Sequence, residues 1–354
     1  MRIAQLAPLA ESLPPKLYGG TERVVAWLVD ELVDLGHHVT LFASGDSRTK
    51  GELHPVWPRA LRLGRKGADP SAACSLLLEA IAKRAAEFDV IHSHVDWLPL
   101  PLLSRSKVPF LTTAHGRLDL PGLPDVVREF PEAGFVSISD NQRQQLPKAK
   151  WIATIHHGLP SGLLRPSYDK GSYLAFLGRL TAEKGPVDAI RIAEAVGMPL
   201  RIAAKIPRAE TAYFKRQLQP HIDGERVTLV GEVDDAEKEP FLAGAAALLF
   251  PIDWPEPFGL VMIGDGLRDP RDRLPLRLRA GSHRRRSHRL HRRRRGRRRP
   301  GRSRSAASGP TAIRSRFEER FTAVRMARDY ESRYRELLTE AEGEARVPER
   351  ESAK

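Results

Sequence analysis

Apolar positions recur along this chain with two periods, and the switches between them outline a repeated unit. "RIAQLAPL" reads as a short apolar strand. A glycine turn follows, then "TERVVAWLVDELVDLG", where Val24, Val25, Leu28, Leu32 and Leu35 fall at helical spacing. A second strand begins at Val39. Strand, glycine loop, helix and strand form the β-loop-α-β unit of a Rossmann-type sheet. "FDVIHSH", "VPFLTTAHG" and "GFVSIS" add short apolar strands, each ending in Ser, His or Gly. Parallel α/β sheets place their ligands at such strand ends.

The pattern then starts again. Past the turn-rich "GLPSGLLRPSYDKG", "SYLAFLGRL" reads as a strand and "PVDAIRIAEAVG" as a helix closed by Gly197. "PLRIAAKI", "RVTLVGEV" and "AALLFPI" read as further strands. The repetition predicts an α/β fold of two Rossmann-like domains facing each other across a cleft. Residues 1–163 form the first domain and 170–263 the first half of the second. The segment 264–311 breaks the pattern, and 312–342 reads as a helical tail. Within that tail, Arg316 to Glu342 predicts one long amphipathic helix. Its apolar positions are Phe317, Phe321, Val324, Tyr330, Tyr334, Leu337 and Leu338.

Composition changes this picture at one place only. The net charge of +14 invites a nucleic-acid reading. However, residues 264–304 hold 18 Arg and 3 Asp with no Lys or Glu, a local charge of +15 that leaves the rest at −1. The single cysteine, Cys74, excludes an intramolecular disulfide framework and points to a reducing cytoplasm. The start "MRIAQLAPLA" is too short in its apolar part for a signal peptide. The longest apolar run, "FLAGAAALLFPI", falls short of the ~20 residues of a membrane span.

Several loops carry candidate chemistry. In "YGGTERVV", Gly19 and Gly20 let backbone N–H groups approach an anion at a helix N-terminus, although glycine turns are often merely structural. In "GRLTAEKG", Arg179 and Lys184 follow a strand within a glycine-bounded loop. There they could clamp a diphosphate, or be an ordinary solvated charged loop. "PEPFGL" sets Glu256 between two prolines, just before Phe258 and Gly259 and an apolar run that should start a helix. That arrangement suits a sugar hydroxyl beside a phosphate, or a plain first-turn acid. His115 ends a strand, where a lone histidine is either functional or a satisfied structural residue. "HSH" (His92, Ser93, His94) hints at a metal but lacks a third ligand.

Taken in order, "APLAESLPPKLYGGTERVV", "HSH", "TAHG", "HHG", "GRLTAEKG", "IAAK", "LVGEV" and "PEPFGLVMI" resemble the family 4 retaining glycosyltransferases. The resemblance covers roughly residues 1–263 and resumes in the C-terminal helix. It implies the GT-B fold, with no obligate metal and no cofactor. The implied partners are a nucleotide-sugar donor such as UDP-glucose and an unidentified acceptor (a sugar, a lipid-linked sugar or a small molecule). It implies no specific nucleic acid, and it is compatible with a peripheral membrane contact. By position, Gly19 and Gly20 would contact the donor diphosphate, and Arg179 and Lys184 would clamp it and stabilise the leaving nucleotide. Glu256, with the backbone of Phe258 and Gly259, would hold the donor sugar. His115 would lie near sugar and acceptor, and "LVGEV" near the base.

One feature departs from the family. Its signature is a pair of glutamates, E-x7-E, the second gripping the ribose and followed by a small-residue helix and a "GTPV" turn. Here Glu256 is present, but the second position is Gly264. Beyond it no helical or strand period appears, and no aromatic residue occurs before Arg314. A shifted reading frame accounts for all of this. In a GC-rich gene, moving the third codon base to the middle yields codons for Arg, Gly, Ala, Pro and Ser. Back-translated with suitable codons and read one base later, the segment can give "ACGTPVIAFPSGSVPEVIEDGVTGF". The frame reads as restored near Ala312, and on this reading the second domain is incomplete and the activity of the chain as written is in doubt. Two alternatives stay open: an inactive protein that binds nucleic acid or other polyanions through the Arg run, and a solvated disordered insert.

Overall fold

The computed structural model describes residues 1–64, 67–163, 171–265 and 310–346. Gly264, the expected ribose-gripping position, falls in the short helix Leu260–Asp265, and most of the Arg-rich segment beyond it lies outside the described residues. Seven parallel strands form the first sheet: β1 (Arg2–Leu6), β2 (His38–Ser44), β3 (Glu52–Trp57), β4 (Val90–Ser93), β5 (Phe110–Thr113), β6 (Phe135–Ser137) and β7 (Trp151–Thr154). Their order is β3-β2-β1-β4-β5-β6-β7. The inner strand β1 sets Ile3 opposite both Val39 and Val90. Strands covered on both faces read as near-continuous apolar runs, which is why β1, β2 and β4 stood out in sequence. The outer strands β3 and β7 did not. They are half-buried edges, and β3 carries Pro55, which an edge strand tolerates.

The helix Gly20–Asp34 buries Val24, Val25, Leu28, Val29 and Leu32. The helix Pro70–Arg84 buries Ala73, Leu77 and Ile81, and the Asp69 side chain caps its start by accepting from the Ser71 N–H at 2.9 Å.

The second sheet has four parallel strands: β8 (Tyr173–Arg179), β9 (Leu200–Lys205), β10 (Val227–Gly231) and β11 (Ala245–Leu248), in the order β10-β9-β8-β11. Between β8 and β9, the helix Pro186–Val196 buries Ala189, Ile190 and Ala193. Its left-handed Gly197 (φ +66°) ends it, as the sequence predicts. The apolar run "FLAGAAALLFPI" divides in two. Phe241–Ala243 close the helix Asp235–Ala243, and β11 begins beyond Gly244. Among the described residues, no helix is long and apolar enough to cross a membrane.

The tail differs from the single helix expected. It forms two, Pro310–Arg320 and Ala323–Arg346. They part at Phe321 and Thr322, where Thr322 bridges Leu159 as an isolated parallel pair. The second helix belongs to the first domain's core. Met326, Ala327, Tyr330 and Tyr334 are buried among Ile3, Val25, Val29 and Leu41. Val324, read as apolar-facing, is exposed, and Ala323 and Met326 take the inner positions instead. Chain crossing requires Gly158 to be glycine: a Cβ there would stand 2.2 Å from the Thr322 carbonyl oxygen. Tyr330→Ala is expected to cost about 3–5 kcal/mol, the usual range for deleting a buried aromatic ring. Urea unfolding followed at the first domain checks this, and a change under about 1 kcal/mol would mean the helix is not part of that core.

Candidate functional site

Strand order decides where the site can form. In each sheet, successive strands depart in opposite directions from one point, between β1 and β4 and between β8 and β11. Loops leaving the carboxyl ends there splay apart and open a crevice. From the first sheet come the glycine loop after β1, His94 after β4 and His115 after β5. From the second come the loop with Arg179 and Lys184 after β8 and the loop with Glu256 after β11.

These last two loops are built as one piece. Gly185 is left-handed (φ +69°), and a Cβ there would stand 2.0 Å from the Pro251 carbonyl oxygen. The Asp253 N–H donates to the Glu183 carbonyl at 2.9 Å. Lys184 and Glu256, both largely buried, therefore meet in a direct ion pair, with the Lys184 ammonium 4.6 Å from the centre of the Trp254 ring. Arg179 lies one strand-end away, its guanidinium 3.6 Å from Glu183 and its buried Nε without a hydrogen-bond partner among the described residues. The sequence assigns Lys184 to the diphosphate and Glu256 to the donor sugar, and the fold pairs the two. The pair leaves one cation and one carboxylate poised to exchange each other for an anion and a hydroxyl.

The glycine loop faces them across the cleft. Gly19 has φ +145°, and a Cβ there would meet Pro15 at 2.8 Å, so its glycine is demanded by the turn itself. Gly20 is open, with nothing within 4 Å of a built Cβ. The first helical turn already holds an acid: Glu22 is buried, and burial raises its carboxyl above the usual range. A cavity of about 200 Å³ lies between the domains, walled by Tyr18, Gly20 and Trp27 on one side and by Gly178, Lys205 and Val233 on the other. Phe258 turns its ring away, against His157 at 4.9 Å, so only its backbone is placed for a ligand.

Sequence reading missed several residues here. Arg23 looked like a solvated helix position, yet it is 6% exposed and pairs with Asp235 of the second domain. Arg62 pairs with buried Glu11 and reaches Glu232 at 3.4 Å. Two ion pairs thus bridge the cleft. Lys205, at the end of β9, stands 4.7 Å from the Tyr18 ring centre, and burial lowers its pKa. Its position at a strand end was the available signal.

His115 belongs to a buried polar network rather than standing alone. Its Nε2 lies 2.9 Å from His94 Nδ1, and His94 Nε2 lies 2.7 Å from Gln5 Oε1. The Gln5 amide donates to the Tyr334 hydroxyl at 3.1 Å. His92 joins Tyr334 to Thr113, with both contacts at 2.7 Å. All ring nitrogens of His92 and His94 are therefore engaged with protein, and among the described residues no group of His, Cys, Asp and Glu is arranged to hold a metal. His157 stacks on His115 with ring centres 5.2 Å apart.

Burial lowers the pKa of all four histidines: His115 to about 3, and His92, His94 and His157 well below the ordinary value. An unfolded chain takes up these protons near pH 6.5, while the folded chain does not. Stability should therefore fall as pH drops below about 6.5, by about 1.4 kcal/mol per pH unit for each ring still neutral when folded. Melting curves from about pH 7.5 down to about pH 5 check the sign, and a flat melting temperature would mean that these rings protonate in place.

Residues 18–158 match the family described as Glycosyltransferase Family 4. Among solved structures, the chain is similar to AviGT4, a glycosyltransferase involved in Avilamycin A biosynthesis. The identity is 22% and the TM-score 0.64, with 96% of this chain and 98% of that one covered. It is also similar to a glycosyltransferase from Rickettsia africae ESF-5, at 15% identity and a TM-score of 0.61, covering 95% of this chain and 98% of that one. At such identities the likeness is one of fold, the two-domain GT-B arrangement. No curated protein matches the sequence.

Proposed function

We propose that the chain is built to move a hexose from a nucleoside-diphosphate sugar to a hydroxyl acceptor with retention of configuration, a reading supported by the match of residues 18–158 to the family 4 glycosyltransferases. The observation that carries this is the ion pair of Lys184 with Glu256 on two interlocked loops at the switch point of the second sheet, with Arg179 on the same loop as Lys184 and held by Glu183. Cleaving the bond between sugar and diphosphate builds negative charge on the leaving phosphate. Arg179 and Lys184 supply fixed positive charge where it grows, so neither metal nor cofactor is required of this chain. When Lys184 turns to the phosphate, Glu256 is released to accept from sugar hydroxyls. The open Gly20 backbone faces the same diphosphate from the first domain, and Glu232 and Val233 flank the base. UDP-glucose is the donor to try first, on the strength of the family resemblance.

Donor binding tests this directly. A panel of UDP-, GDP- and ADP-hexoses is titrated against the protein with ligand-observed NMR. Binding of one or more, weakened by Lys184→Ala and Arg179→Ala, is the expected result. Equal signals from all donors, unchanged in both variants, would remove the diphosphate clamp.

A further inference from the structure

The network behind His115 has a direction. Each neutral imidazole carries one N–H and one bare nitrogen, so a chain of histidines passes its proton order along. Gln5 fixes the sense, with its amide nitrogen toward Tyr334 and its carbonyl oxygen toward His94. A carbonyl can only accept, so His94 must hold its proton on Nε2. His94 Nδ1 is then bare and accepts from His115 Nε2–H across 2.9 Å. His115 Nδ1 is left unprotonated, and it is a buried atom without a hydrogen-bond partner among the described residues. The other branch closes consistently. Tyr334 accepts from Gln5 and donates to His92 Nδ1, His92 Nε2–H donates to Thr113, and the Thr113 hydroxyl donates to Tyr330 at 2.9 Å.

We propose that Tyr334, on the C-terminal helix, is a positioning residue that sets the tautomer of His115 through Gln5 and His94, so that Nδ1 is kept as an open acceptor for a substrate hydroxyl. The substrate part rests on the transferase reading above, whereas the tautomer part does not. His115 follows β5 and stacks on His157, whose ring meets Phe258 of the sugar-side loop. A bare nitrogen there can accept from a hydroxyl and cannot donate. The site would thus take an O–H where a protonated Nδ1 would have demanded a lone pair. Tyr334 is fully buried, so its hydroxyl bonds are shielded from competing water. The helix also holds the neighbouring loop, with Arg325 donating to the His156 carbonyl at 2.6 Å.

The experiment is nitrogen NMR on the full chain with labelled histidine, His115 being assigned by its loss in His115→Gln. The expected spectrum shows His115 with a pyridine-type Nδ1 and a pyrrole-type Nε2. Tyr334→Phe keeps the ring but removes the hydroxyl, and it should convert that single tautomer into a mixture. Thr113→Val cuts the far end of the same chain, beyond His92, and should mix the His115 tautomer less than Tyr334→Phe does. Should Tyr334→Phe fail to fold, Gln5→Met cuts the same link from β1 and should give the same mixing. A pyrrole-type Nδ1 in the parent chain would overturn the proposal, and so would an unaltered tautomer in Tyr334→Phe or equal mixing in Thr113→Val. Donor binding by the same variants separates the two ideas. A confirmed tautomer with no donor binding would sink the transferase reading alone.

Discussion

A chain read one base later from codon 264 to about codon 312, with Glu at position 264, is expected to transfer sugar where the chain as written does not. Two losses add. On the frame-shift reading Gly264 stands where the family resemblance implies a ribose-gripping carboxylate, and a charge-assisted hydrogen bond of that kind contributes about 1.5–3 kcal/mol, roughly ten- to a hundredfold in binding. The larger loss is architectural. Among the described residues β11 pairs only with β8, which leaves its outer edge uncovered, and such an edge invites aggregation. The re-read sequence supplies an apolar run of the kind that can pair there. Gly264→Glu alone returns the carboxylate without those elements, so it should leave transfer undetected. Side-by-side assays with calorimetry of all three proteins decide the matter. Full activity and a sharp melt in the chain as written would sink the frame-shift reading, as would equal rescue by Gly264→Glu.

Lys184→Ala in the frame-restored protein is expected to lower the transfer rate about 10²–10³-fold, the usual cost of removing one preorganised group aimed at developing charge. Ground-state binding should suffer less, because Lys184 must first leave Glu256, and its full value appears only as the phosphate departs. Lys184→Arg keeps the charge but presents a planar fork in place of a compact ammonium against Trp254, and should recover only part of the rate. The reading is tested by kcat and KM measured together. A rise in KM with kcat unchanged would make Lys184 a binding residue and nothing more.

Much of this was legible because loops are punctuated. Glycines and prolines bracket Arg179, Lys184 and Glu256, and their place just past a strand marks them as strand-end residues. Single positions buried by distant partners were harder. Arg23 has the sequence context of an exposed helix residue, and only Asp235 of the other domain explains its burial. Gln5 and Thr113 were the overlooked signal: polar residues inside strands with both faces covered must find partners. They found histidines 89 and 21 positions away and tyrosines 329 and 217 positions away. Edge strands β3 and β7 lacked the continuous apolar run that marks a central strand. The tail's inner face was misjudged at Val324 because a break at Thr322 resets the helical phase.

The docking of Ala323–Arg346 into the first domain's core also has a consequence for synthesis. Domains generally fold in order as they leave the ribosome, the N-terminal one first. Here β1 emerges at the outset, but Tyr330 and Tyr334, which complete its surroundings, emerge only after some three hundred further residues. Until then the buried polar atoms of Gln5, His92 and Thr113 have no tyrosines to bond, and the nascent first domain must wait half-closed. A reading frame lost in the second domain and never regained would therefore damage the first.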